Sequence, residues 1–227
     1  MRGLEPLNQT IITCDRCPRL LRHCREVARV KRRAYRNETY WGKPVPGFGD
    51  PNARLLVVGL APGAHGANRT GRNFTGDGSG DFLYPALYRA GFSSRPNSVN
   101  REDGLRLIDA YITAICRCAP PDNKPLLLEI LACRSYLEEE LLLLKRVRAI
   151  LALGKIAFDG ILATMMEMGW IENRTGLQFT HGVSYELGHD LPILFASYHP
   201  SRQNTQTGRL TRAMFDGVFG KIRRSLV

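Results

Sequence analysis

Four short apolar runs constrain the fold of this chain more than any other feature. They are "RLLVVGL" (54–60), "AYITAICRC" (110–118), "AILALG" (149–154) and "PILFASYHP" (192–200). Each is bounded by polar or glycine-containing sequence and reads as a buried strand. Between them lie helical patterns: "DFLYPALYRAGF" (81–92), "PLLLEILACRSYLEEELLLLKRV" (125–147), read as one long helix or two, and "KIAFDGILATMMEMG" (155–169). Residues 205–225 read as a final helix, and residues 13–34 as a basic one preceding a Pro/Gly linker at 40–51. Residues 171–190 have no clear period and suit a hairpin. Strands alternating with helices predict an α/β fold with a parallel sheet covered on both faces.

Ligands of such sheets bind outside the carboxyl ends of the strands. Three loops fall there: 59–77, 118–125 and 198–210. The first, "GLAPGAHGANRTGRNFTGD", carries five glycines in nineteen residues with one His, two Arg and one Asp. Glycine lets backbone approach a ligand closely. The stretch lacks the G-K-[ST] ending of a phosphate loop and the G-x-G-x-x-G of a dinucleotide site, so nucleotide-dependent chemistry is not indicated.

The formal charge of +11 is unevenly placed. Residues 1–50 hold 11 Lys/Arg against 5 Asp/Glu, residues 201–227 hold 6 against 1, and the middle is balanced at 15 and 15. If the two ends meet they form one basic face, the footprint of a phosphate-backbone binder. No stretch approaches the length of a membrane span and no apolar signal core opens the chain. The expectation is a soluble cytoplasmic protein acting as a monomer, with no membrane partner.

The cysteines fall at 14, 17, 24, 116, 118 and 133. Cys14 and Cys17 form C-x2-C, and fourteen residues separate Cys118 from Cys133. Clustered thiols in an intracellular protein suggest metal rather than disulfides. Zinc and an iron–sulfur cluster both accept four cysteines, and spacing alone leaves both open. Cys24 and Cys116 read as spare core residues.

"YWGKPVPGFGDP", "GLAPGAHGANRTGRNFTGD", "RCAPPDNKP" and "HPSRQNTQTGRLT" occur in that order, and together they resemble the family 5 uracil-DNA glycosylases over nearly the whole chain. The resemblance implies one domain over residues 1–227, a three-layer α/β/α sandwich around a four-stranded, mostly parallel sheet. It implies a [4Fe–4S] cluster on Cys14, Cys17, Cys118 and Cys133, stapling the N-terminal helical segment 1–40. The implied activity is hydrolysis of the N-glycosidic bond of uracil, and of other deaminated bases such as hypoxanthine, in DNA. A non-catalytic iron–sulfur or zinc DNA-binding protein is the alternative.

Roles follow from the chemistry. A glycosylase flips its base out of the stack, and Phe74 matches the family's stacking phenylalanine. His199 follows the last strand, placed to donate to a carbonyl of the departing base. Ser201, Arg202, Asn204 and Arg209 suit phosphate contact and wedging. Gly59, Ala61 and Gly63 form the start of the first loop, where Leu60 and Ala61 leave no acid or amide to position water. Asp77 is the acidic residue of that loop and the candidate base, with helix capping as its competing role. Ala114 occupies the position where the related family 4 carries an Asn that reads uracil. Asn123 is the candidate substitute, and His65 and Asn68 are further polar groups on the first loop.

Overall fold

The computed structural model describes residues 3–227. Four five-residue strands form the centre of its sheet: β2 (Leu55–Gly59), β3 (Ala110–Ala114), β4 (Ala149–Leu153) and β6 (Ile193–Ser197). They are parallel and ordered β3-β2-β4-β6. Their continuous apolar character follows from burial on both faces. Two-residue antiparallel strands extend the edges: β1 (Phe48–Gly49) beside β3, and β5 (Ser184–Tyr185) beside β6. The expected four-stranded parallel sheet is therefore present within a six-stranded one. β1 falls in the segment read as a linker, and β5 is the only strand within 171–190.

Helices cover both faces. On one side α4 (Gly80–Arg89) and α8 (Arg212–Ser225) bury Leu83, Leu87, Phe215 and Phe219 against Leu55, Ile112 and Leu151. On the other, α5 (Leu127–Leu143) and α6 (Lys155–Glu167) bury Leu137, Phe158 and Leu162 against Leu56, Ile150 and Leu194. The 125–147 pattern is thus one helix. At the N-terminus α1 (Leu4–Ile12) packs Leu7 and Ile11 on Tyr136 of α5, and α2 (Pro18–Val30) follows. A short helix α3 (Ala67–Thr70) lies within the first loop.

The expected final helix is two. α7 (Arg202–Gln206) is capped by Ser201, whose Oγ accepts from the Asn204 N–H, and α8 by Thr211, whose Oγ1 accepts from Met214 N–H. Gly208, at φ +72°, breaks the chain between them. The two basic ends meet only in part: Arg32 and Arg202 reach the same cleft. The α8 cations turn elsewhere, Arg223 onto the Phe92 ring and Lys221 to the Gly182 carbonyl.

Inside, Arg117 and Glu140 form a fully buried pair, with Arg117 Nη2 donating to Glu140 Oε2 at 2.7 Å and Thr113 Oγ1 donating to Oε1 at 3.1 Å. The pair ties the chain after β3 to α5. Removing one partner of such a pair typically costs about 3–5 kcal/mol.

Candidate active site

From β2 the chain runs to β3 on one side and later returns to β4 on the other. The cleft opens at the carboxyl edge beside this reversal, where open α/β sheets bind ligands. It holds about 640 Å³ and is lined by all three loops: Leu60 to Ser79 after β2, Asp122 and Asn123 after β3, and His199 to Gln203 after β6.

The glycines of the first loop make room for its own side chains. A Cβ on Gly59 would sit 2.7 Å from Phe74 Cζ, and one on Gly66 1.9 Å from Asp77 Oδ2. The outer edge of the Phe74 ring therefore rests against Gly59 at the end of β2, and the Asp77 carboxylate packs against Gly66. A Cβ on Gly78 would come 2.6 Å from Arg202 Nε, so the loop after β6 also rests on this surface.

Phe74 is a bulky residue at φ +53°, a left-handed conformation costing roughly 1–3 kcal/mol. Its neighbours impose it. Asn73 donates to the Pro46 carbonyl at 3.0 Å, and the Asn73 carbonyl accepts from Tyr84 Oη at 2.9 Å. Thr75 Oγ1 lies 2.7 Å from Ser98 Oγ and accepts from Arg72 Nε at 3.1 Å. Arg72 in turn donates twice to Asp103, at 3.0 and 2.6 Å. Burial pushes the Asp103 carboxyl up, but Arg72 and three backbone amides outweigh it and hold the group well below the usual range.

Phe74 stacks on His199, ring centroids 5.8 Å apart and planes 30° from parallel. Burial pushes the His199 imidazole down to about 4, so it is neutral at neutral pH. Asn204 sets its backbone: Nδ2 donates to the His199 carbonyl at 2.8 Å.

Asp77 combines both expected characters. Its Oδ1 accepts from the backbone N–H groups of Ser79 and Gly80, each at 3.0 Å, at the start of α4. Burial raises the carboxyl above its usual value, while the two helix amides pull against the shift. His65 Nδ1 lies 3.0 Å from Tyr40 Oη, and burial together with Arg32, Arg69 and His23 lowers its pKa.

The other candidates separate. Ala61, Gly63, Ser201 and Arg202 line the cleft with the residues above. Asn123 stands exposed at the rim, following Asp122, both left-handed at φ +56° and +54°. Ala114 is buried next to Gly59 in the β2–β3 register and presents no side-chain polar group. Asn68 is fully buried and donates to the Cys24 carbonyl at 3.2 Å, a position inside the loop rather than in the cleft. Arg209 lies over the Tyr198 ring at 4.6 Å. Sequence reading missed Arg69 and Arg72, because a loop arginine carries no mark of burial; Arg69 donates to the His65 carbonyl at 2.8 Å and the Gly76 carbonyl at 2.7 Å, bracing both ends of the first loop.

Residues 46–223 match the profile of the uracil DNA glycosylase superfamily. The chain belongs to this superfamily. It is 53% identical over 220 residues to the Type-5 uracil-DNA glycosylase of Thermus thermophilus, covering 97% of each chain. It is 45% identical to the Type-5 enzyme of Pyrobaculum aerophilum, over 88% of this chain and 84% of that one. A Type-4 uracil-DNA glycosylase of the same organism is 30% identical over 87% of this chain and 83% of its own. In this superfamily member the glycine-rich loop, the rim after β3 and the His-Pro-Ser loop form one cleft.

All six cysteines are free thiols. Cys14 and Cys17 lie between α1 and α2, Cys118 follows β3, and Cys133 is on α5. They are close enough to interact: burial pushes the Cys17 thiol up to about 11, with Cys133 and Cys14 adding to the shift. Cys118 is raised by Cys24, by burial, and by Cys133 and Cys14. Cys24 and Cys116, read as spare, therefore sit against this group, beside Cys118 and Cys133 respectively. Among the described residues, no three His, Cys, Asp or Glu side chains are drawn around the position of a single metal ion. No helix of the described residues is long and apolar enough to cross a membrane.

Proposed function

We propose that this chain is a DNA glycosylase that hydrolyses the N-glycosidic bond of uracil in DNA and leaves an abasic site, acting as a monomer in base excision repair. The observation that carries the reading is the meeting of Asp77, Phe74 and His199 in one cleft, in a chain closely similar to Type-5 uracil-DNA glycosylases. A flipped base enters the cleft and takes an aromatic platform from Phe74. Bond breaking puts positive charge on the sugar and negative charge on the base. The neutral His199 imidazole donates a hydrogen bond to the developing anion without giving up a full proton. The ionised Asp77 carboxylate stabilises the sugar cation and orients the attacking water through Oδ2. Discrimination by side chains is loose, since Ala114 offers no amide, and hypoxanthine is accepted beside uracil.

Cys14, Cys17, Cys118 and Cys133 fit a [4Fe–4S] cluster: four neighbouring thiols from three segments, with no imidazole in the set. When bound, the cluster supplies a cross-link between the N-terminal segment 1–40, the loop after β3 and α5; hydrolysis moves no electrons. Metal analysis of protein purified without air should return about four irons per chain. One zinc per chain would overturn the cluster.

The test of activity is a uracil-containing oligonucleotide incubated with the protein and then with alkali, which breaks abasic sites. Cleavage at uracil is expected. Protein that binds the oligonucleotide and leaves it intact would refute the enzyme.

A further inference from the structure

The segment 171–190 has no part in the proposed mechanism, yet one of its side chains reaches the end of β6. His199 follows β6 by two residues, so whatever fixes the backbone there aims its ring.

The peptide between Ser197 and Tyr198 is held on both sides. Its carbonyl accepts from the Gly154 N–H, just after β4, at 2.8 Å. Its N–H donates to His181 Nδ1 at 3.2 Å. This second bond completes an unfinished ladder. Beyond β5 the pairing with β6 ends where the Ala196 N–H donates to the Val183 carbonyl at 3.0 Å and the Gly182 N–H donates to the Ala196 carbonyl at 2.8 Å. Alternate residues of a strand turn their N–H groups to the same edge, so the next donor on that edge is Tyr198. No backbone carbonyl meets it, and an imidazole takes its place. One residue on, Asn204 Nδ2 donates to the His199 carbonyl at 2.8 Å. Tyr198 and His199 are thus clamped by a side chain at each end.

His181 is prepared for this task. A backbone amide only donates, so Nδ1 carries no proton and the ring is the Nε2–H tautomer. Burial lowers its pKa, against a backbone contact from Met214 and with help from the charge of exposed Lys221, so the ring is neutral at neutral pH. The ring stacks on Tyr198, centroids 5.1 Å apart and planes 24° from parallel, and Arg209 lies over the same Tyr198 ring. The buried Ser197 hydroxyl lies 3.3 Å from Nδ1 and donates to the Tyr198 carbonyl at 3.0 Å. We propose that His181 is a positioning residue for His199: by accepting the Tyr198 N–H it fixes the peptide from which the His199 imidazole is aimed into the cleft against Phe74. The proposal rests on the glycosylase reading and adds a residue that acts through His199 without touching substrate.

The test is a matched pair of variants. His181→Asn puts Oδ1 where Nδ1 stands, whereas His181→Leu has nearly the shape of Asn and no acceptor. Both lose the ring on Tyr198, so the pair separates the hydrogen bond from the stacking. The readouts are single-turnover excision of uracil from a duplex, affinity for the abasic-site duplex, and the NMR titration of the His199 imidazole. His181→Leu should lose roughly 10- to 100-fold in rate, as misplaced catalytic groups do, with affinity within about threefold of wild type. Its His199 should titrate above the wild-type value of about 4 as the ring loosens from its buried seat. His181→Asn should stay within about threefold of the wild-type rate and leave the His199 titration unmoved. Should His181→Leu not fold, His181→Ala takes its place with the same losses expected. Equal rates for the Asn and Leu variants would overturn the proposal. So would a slow His181→Leu in which His199 titrates as in wild type, which would confine His181 to holding the fold. Wild type inactive on uracil-DNA would refute the glycosylase reading, while the titration of His199 would still decide the clamp.

Discussion

Arg72 and Arg202 both sit in loops at the carboxyl edge of the sheet, one after β2 and the other after β6. Arg72 is buried, and its guanidinium holds Asp103, Ser98 and Thr75. Arg202 is exposed, lies across Gly78 and faces the cleft without an acidic partner among the described residues. The first loop uses its charge internally, to hold Phe74 in a conformation it would not adopt alone. The second leaves its charge free for a phosphate. On the proposed reading, the first loop holds Phe74 and Asp77 in place in advance, and the loop after β6 adds His199 and a cation free to meet a phosphate.

The largest expected effect comes from the fixed side. Asn at position 77 keeps a carbonyl for the Ser79 and Gly80 amides but loses the carboxylate facing Gly66. Asp77→Asn should fold, bind uracil-DNA and lose roughly two to four orders of magnitude in excision rate. In wild type the rate should fall with acid as the raised Asp77 carboxyl takes a proton, starting above the pH of an ordinary Asp. The residual rate of the variant should lack that limb. Stability should run the other way. A raised folded-state pKa means that the ionised carboxylate costs folding energy at neutral pH, a cost relieved as pH falls. Asp77→Asn should therefore be no less stable than wild type at pH 7. A near-wild-type single-turnover rate would remove Asp77 from the chemistry and leave it as a helix cap.

Asp103→Ala comes next. It strips the buried Arg72 of its partner, and the loss should be about 3 kcal/mol, read as a lower urea midpoint at unchanged slope. The wild-type contribution is present above about pH 4 and fades as acid protonates Asp103, whose folded pKa is depressed. If the network positions Phe74, the variant should also raise KM and weaken inhibition by free uracil. A stability loss with unchanged KM and uracil inhibition would confine the network to folding.

Much of this was legible in the chain. β2, β3, β4 and β6 are buried on both faces, so each wrote an unbroken apolar run. β1 and β5 are set by the register of their neighbours and left no pattern in "PGFGDP" or "GVSYEL". α1 was passed over although Leu4, Leu7 and Ile11 carry a helical spacing. The break before α8 was signalled by Gly208 and Thr211. In the site, Asp77, Phe74 and His199 were readable because strand-end loops converge. Arg72 was not, since its partner Asp103 is 31 residues away and only the fold joins them. The same holds for Cys24 and Cys116, which seemed spare by spacing and lie against the other thiols.

The smallest expected effect separates two arginines of the second loop. Arg202 lines the cleft, whereas Arg209 is laid over Tyr198. A guanidinium that neutralises one phosphate releases about one counterion, so Arg202→Ala should flatten the slope of log K against log salt by about 0.9. Affinity should fall severalfold for any sequence, with the choice of excised base unchanged, because phosphate contacts position without specifying. Arg209→Ala should alter the slope by much less, its charge being engaged with the ring rather than aimed at the cleft. Equal slopes for wild type and Arg202→Ala would mean that Arg202, like Arg72, serves its own loop, and the contrast between the two sides of the cleft would fail.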